Sequence, residues 1–229
     1  MIQRYLYILL VLFLFSPLVG AEISREELER WFESDEFVPP RDTAADVNEG
    51  QLVFIKPRPG QGIHHHHNAL KISDSSLING WIRIHQCHEN IDKVPAIQIV
   101  FNKDRVKDLK LISKRNIESA WIEGASVQMT NVSANAQICI EASTQALLIN
   151  KDGSYTLRNG PFMRRFLDGY YPMRVSMHID FSNTPLQWVS ASPAEQAGFV
   201  VSKKQQQLDL DAWFEGRLIT EFRFTKKSL

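Results

Sequence analysis

From Gln51 to the C-terminus the hydrophobic pattern has a period of two, and this limits the fold more than any other feature of the chain. Leu208, Leu210, Ala212 and Phe214 alternate with polar neighbours, and beyond Glu215-Gly216 so do Leu218, Thr220, Phe222 and Phe224. Successive side chains of a strand point to opposite faces, so each such run carries one apolar face that a second layer must cover. The closing pair reads as a terminal hairpin turning at Glu215-Gly216. Similar short runs occupy 52–55, 69–72, 81–87, 96–101, 109–112, 119–129 and 137–141, then 155–157, 173–181, 186–189, 199–202, 208–214 and 217–224. The pattern predicts an all-β fold of antiparallel β-sandwich type. It is read as two packed β units, 51–147 and 148–229, separated near the turn signal Lys151-Asp152-Gly153, although the two can equally form one continuous domain.

The first fifty residues are written differently. Arg4 precedes an apolar run from Tyr5 to Val19, and the small residues Gly20 and Ala21 follow. That order is expected of a secretory signal peptide, 1–21, cut after Ala21. The run is shorter than the roughly 20 apolar residues that cross a bilayer. No later segment is longer, so no transmembrane segment is expected after cleavage. Residues 22–50 read as a short helix and linker: Ser24 can cap, Glu27 stands at the capping-box position, Leu28, Trp31 and Phe32 form a stripe, and Pro39-Pro40 ends it. Export places the mature protein in the periplasm or outside the cell.

Composition removes some partners. Lysine plus arginine and aspartate plus glutamate are each 26, a balance that gives no electrostatic reason to seek nucleic acid. The 44% of hydrophobic residues suffices for a globular core. The two cysteines, Cys87 and Cys139, form an even count in a chain bound for an oxidising compartment, and a disulfide is expected between them. The competing use is as soft thiolate ligands of a metal.

Six of the seven histidines lie between positions 64 and 88: His64, His65, His66 and His67 in a row, then His85 and His88 around Cys87. Neutral imidazole is a good ligand of copper and zinc, and three that converge leave an open position on the metal. Convergence depends on strand register. With a loop centred near Ser76, residue 64 faces 88, so His64, His66 and His88 share one face and His65, His67, His85 and Cys87 the other. With a tight Asn79-Gly80 turn the cluster disperses. Without convergence the histidines are a solvated loop and strand edge. Ile82 and Ile84 mark the buried side of their strand, and Ile138 and Ile140 that of theirs, which puts both cysteines on the less apolar faces.

Basic residues from Lys103 to Arg115 read as a solvated face, with an anionic glycan or lipid as the sharper use. Phe162 to Tyr171, rich in arginine and aromatic residues, reads as a plug over one end of the sandwich, with a ligand groove as the alternative. No G-x-S-x-G elbow, H-E-x-x-H helix or phosphate loop is present. His178 and Asp180 form at most half a triad. The stretches Gln86-Cys87-His88-Glu89-Asn90 and Leu157 to Pro172 resemble segments of uncharacterised exported β-rich proteins of proteobacteria. That resemblance implies a bacterial periplasmic setting and no activity. The sequence is therefore read as an exported, non-enzymatic binding or interaction module with an unknown protein or small-ligand partner. A copper- or zinc-binding accessory protein is the first alternative, and an enzyme of unknown type the second.

Overall fold

The computed structural model describes residues 48–227 apart from 49, 59, 61, 167 and 168. The expected leader, 1–21, and the helix at 23–34 lie outside the described residues. In chain order the strands are β1 (Val53–Phe54), β2 (His65–Lys71), β3 (Trp81–Ile91), β4 (Val94–Val100), β5 (Val106–Glu123), β6 (Ser126–Gln145), β7 (Leu147–Ile149) and β8 (Tyr155–Phe162). They continue with β9 (Arg165–Phe166), β10 (Gly169–Tyr170), β11 (Met173–Asp180), β12 (Leu186–Ser192), β13 (Phe199–Lys204), β14 (Gln207–Glu215) and β15 (Leu218–Lys226). One helical turn, Ser76–Asn79, links β2 to β3.

The fold is all-β, as the alternation predicts. A nine-stranded sheet runs β1-β14-β11-β2-β3-β6-β4, with β13 also on β14 and β5 also on β6, and a four-stranded sheet runs β12-β15-β8-β7. The pairings are antiparallel except for β2 with β11, which run parallel. The large sheet thus takes strands from both stretches, 51–147 and 148–229, and the two lie within one unit that begins at Val47.

The two sheets share one core. β11 alternates strictly, with Met173, Val175, Met177 and Ile179 buried against Leu157, Phe222 and Phe224 of the small sheet's layer. Arg174, Ser176, His178 and Asp180 point the other way.

The expected terminal hairpin is corrected. β14 pairs with β1, β11 and β13, whereas β15 pairs with β8 and β12 in the other sheet. Both strands alternate because each turns its apolar face to the same core from opposite sides. Glu215-Gly216 is therefore the crossing between layers. Gly216 has φ +88°, and a Cβ there would fall on the backbone carbonyl of Gln51.

A second correction concerns 119–129, which is two strands and not one. β5 and β6 meet at Glu123↔Ser126 across Gly124-Ala125, with Gly124 at φ +58°. A glycine at the first central position of a two-residue turn serves as well as Asn-Gly, but it lacks the signature that makes Asn-Gly legible.

β3, β5 and β6 all break step at one level. Asn90, Asn116, Asn131 and Asn135 adopt positive φ, where β3 shifts register between Glu89 and Ile91 and β5 between Arg115 and Ile117. Asparagine tolerates the left-handed conformation better than most side chains. Bulges of this kind bend the strands that carry them, and the β4-β5-β6 end of the sheet has its own small core around Val127, Met129, Ile138 and Ile140. β5 is the outer strand along this edge, and its lysines stand on the exposed face, with Lys107 over the Trp81 ring at 4.2 Å. Charge on an edge strand opposes pairing with a second chain.

Cys87 and Cys139 are bonded, as direct cross-strand partners on β3 and β6 with Cα atoms 4.1 Å apart. They lie on the face away from the sandwich core and join neighbouring strands directly.

Two outcomes test this arrangement. Gly216→Ala should lower unfolding free energy by about 2 kcal/mol or more, because it adds a backbone clash to an unfavourable φ. A denaturation midpoint equal to that of the parent would contradict the crossing. Replacing both cysteines by serine opens a loop of sequence separation 52 and should cost about 4 kcal/mol in the same measurement.

Candidate functional site

β2 runs between β11 and β3, paired to β3 as His65↔Glu89, His66↔His88, His67↔Cys87 and Ala69↔His85. The pairing is shifted by two residues from the one expected with a loop centred near Ser76. A shift of two keeps every side chain on its face. The helical turn at Ser76–Asn79, closed by Gly80 at φ +76°, takes up the residues that a two-residue Asn-Gly turn would have returned to the strands.

On the inner face, β2 reads Leu70, Asn68, His66 and β3 reads Ile84, Gln86, His88, all buried. Along this face the Leu70–Ile84 end lies in the apolar core and the His66–His88 end carries polar groups. These groups satisfy one another. His88 Nε2 lies 2.6 Å from Gln86 Nε2, which can only donate, so that ring nitrogen accepts. His88 Nδ1 therefore carries the hydrogen and donates to His64 Nε2 at 3.0 Å. His66 Nε2 donates to Asn68 Oδ1 at 3.0 Å. The His66 ring lies 4.2 Å from that of His88 and meets Phe162 edge-on at 5.0 Å.

These three imidazoles are uncharged. Burial holds His64 at about 4, with Asp92 opposing and Arg164 reinforcing the shift. Burial, aided by the neighbouring histidines, holds His66 at about 3. His88 is pushed well below the ordinary 6.5, again by burial first and its histidine neighbours next.

The polar patch forms the floor of a cleft of about 810 Å³. The bent-over arm supplies one wall through Ile97, Ile99 and Met129, and the end of β8 with residues 163–166 supplies the other. Asp92 and Arg164 form a two-pronged ion pair at the rim, with Nε–Oδ2 3.0 Å and Nη2–Oδ1 2.5 Å. Arg164 also lies over the Tyr171 and Phe166 rings. Asn159, on the β8 wall, buries its side-chain Nδ2 without a partner. Residues 162–166 thus line a groove, the alternative use expected of this stretch.

The outer face carries the other histidines. His65 Nε2 and His67 Nδ1 both reach Ser176 Oγ, at 2.7 and 2.9 Å, and His65 Nδ1 stands 3.6 Å from Glu89. His85 has Glu141 at 3.6 Å from Nδ1 and Cys87 Sγ at 3.5 Å from Nε2. Among the described residues, one group of three metal-capable side chains brings its donor atoms within 4.8 Å of one another: His85, Cys87 and Cys139, whose sulfurs are joined. His178 takes its carboxylate from Asp209 across the sheet at 2.7 Å. Asp180 instead caps the Ser182 amide.

The six histidines are thus divided between two faces, and the inner trio is His64, half-buried, with His66 and His88, both buried. Asn68, Gln86 and Asn159 complete the inner site and were not singled out from sequence. The signal was the continuation of two apolar stripes, Leu70-x-Asn68 and Ile84-x-Gln86, into polar residues on the same face.

No protein-family model matches this chain, and no curated protein matches it. Among solved structures, a two-domain M1 zinc metallopeptidase, crystallised as a point mutant with L-tryptophan, matches at 12% identity and a TM-score of 0.34. That match covers 77% of this chain, which spans 44% of the metallopeptidase's length.

The buried histidines make stability depend on pH. Unfolded, the imidazoles bind protons near pH 6.5; folded, His64 and His66 do so near 4 and 3. Between those values the unfolded chain holds more protons, so stability is full above pH 6.5 and falls as pH is lowered. At about 1.4 kcal/mol per unit, each of the two withdraws on the order of 3 kcal/mol by pH 4. Thermal unfolding should show a steep loss of Tm from pH 6.5 to 4, and a shallower one in His66→Gln. A flat profile in the parent would place these side chains in water.

Proposed function

We propose that this protein is an exported binding module, without catalysis of its own, whose cleft takes a small polar ligand in the periplasm or outside the cell. The observation that carries this reading is Asn159. Its amide is buried at the cleft wall with no acceptor, which costs about 1–3 kcal/mol in the empty protein. A bound acceptor would recover that cost once a turn of the side chain brings the amide, closed to solvent here, to the cleft surface. The cleft floor supports the same reading, since polar groups converging in an otherwise apolar concavity fix the orientation of a ligand. Three neutral imidazoles and two amides offer hydrogen bonds without charge, and Arg164 already neutralises Asp92 at the rim. The disulfide agrees with an oxidising compartment.

Binding would be measured by imidazole and amide chemical shifts, titrating neutral sugars, amino acids and small carboxylates into the full chain. A ligand of this site should shift His64, His66 and His88 together. Asn159→Leu should weaken its binding at least tenfold while leaving the empty protein as stable as the parent or more so. If no compound in these classes moves the three histidines, the cleft is not a site for them and the reading fails.

Copper or zinc binding by His64, His66 and His88 is the second reading; it requires the rings to turn away from Gln86 and from one another, because their donor atoms do not converge as they stand. Elemental analysis of protein purified without a nickel column distinguishes the two. Stoichiometric metal that is lost in His88→Ala would move the assignment to a metal accessory protein.

A further inference from the structure

The outer face of the large sheet holds a separate arrangement that the cleft does not use. Cys87 pairs with Cys139 across β3 and β6, and with His67 across β2 and β3. His85 lies two residues before Cys87, on the same face, with Nε2 3.5 Å from the Cys87 sulfur. The donor atoms of His85, Cys87 and Cys139 lie within 4.8 Å of one another. Glu141, opposite His85 in the β3-β6 ladder, stands 3.6 Å from Nδ1. A carboxylate at one imidazole nitrogen orients the ring and makes the other nitrogen a better metal donor. Three ligands and an orienting carboxylate are therefore in place, and the disulfide alone prevents both sulfurs from being thiolates.

We propose that reduction of the Cys87–Cys139 disulfide converts this face into a zinc site, with two thiolates and His85 as ligands and His67, across the strand from Cys87, as the fourth. A dithiol supplies the electron pair: it breaks the sulfur–sulfur bond, transfers two protons to give two thiols, and is itself oxidised to a cyclic disulfide. Zinc(II) then displaces both thiol protons and binds two thiolates. The sulfurs need only part to about 3.8 Å, the edge of a tetrahedron with 2.3 Å zinc–sulfur bonds. Neighbouring strands hold them close enough for that without a change of register. The side chain of His85 is 41% exposed, and Cys87 is half-buried, so reductant and metal have an approach from solvent.

His67 also binds Ser176 Oγ through Nδ1 at 2.9 Å, and that contact fixes Nε2 as the nitrogen for the metal. The inner histidines are on the other side of the sheet and take no part. The site stands or falls independently of the cleft.

Cobalt(II) is the probe, because thiolate ligation gives it a charge-transfer absorption that imidazoles alone do not. Full-length protein purified without a nickel column would be reduced with a non-chelating phosphine and titrated under nitrogen. One cobalt per chain with a thiolate charge-transfer band is expected, absent from the oxidised protein and displaced by zinc. Cys139→Ser should abolish the two-thiolate band, and His85→Ala should weaken affinity more than tenfold. Glu141→Gln, which keeps every ligand, should weaken it about tenfold. His88→Ala, on the opposite face, should leave the cobalt band and its affinity unchanged whatever it does to the cleft. If the reduced chain unfolds, restoration of its β spectrum by zinc supports the site equally. Absence of the band, or a band unaffected by His85→Ala, overturns the proposal.

Discussion

β2 is held on both edges, parallel to β11 and antiparallel to β3, and the rest of the functional arrangement depends on that register. A slip of one residue would exchange the faces of every side chain on the strand. Here it would bring His65, His67 and Ala69 to the core and expel His66, Asn68 and Leu70. The buried Leu70 and Ile84, paired across the two strands, resist such a slip. Apolar packing at one end of β2 thereby fixes where the histidines go at the other.

The cleft has a second cause, the bend in β3, β5 and β6. Were these strands straight, β4 and its ribbon would extend the sheet and leave the polar ends of β2 and β3 facing solvent. Asn90 and Asn116 allow the bulges, and Ile97, Ile99 and Met129 line the same cleft as the imidazoles. Desolvation, the largest cause of the shifts at His64, His66 and His88, follows from this enclosure more than from any neighbour's charge. Backbone features of β3 and β5, and not of β2 itself, thus bear on the protonation state of the site.

Much of this was legible in the sequence. Period-two alternation marked most of the strands, the even cysteine count marked the bond, and parity divided the histidines correctly even though the pairing was two residues off. What failed had physical reasons. Alternation shows that a strand has an apolar face but not which layer it joins, so β14 and β15 read as a hairpin although their apolar faces meet across the core. Gly124-Ala125 turned without the usual signature. Asn159 was invisible because an unpaired amide is a property of its surroundings, assembled from β8 and the strands around it.

The most direct test of the account is the titration of each imidazole by heteronuclear magnetic resonance on the oxidised full chain. His64, His66 and His88 should keep neutral-imidazole nitrogen shifts from pH 8 down to pH 5, with the hydrogen on Nδ1 of His88 and on Nε2 of His66. Midpoints near 6.5 for these three would mean that water reaches them, that the arm does not close over β2 and β3, and that the cleft as described does not exist.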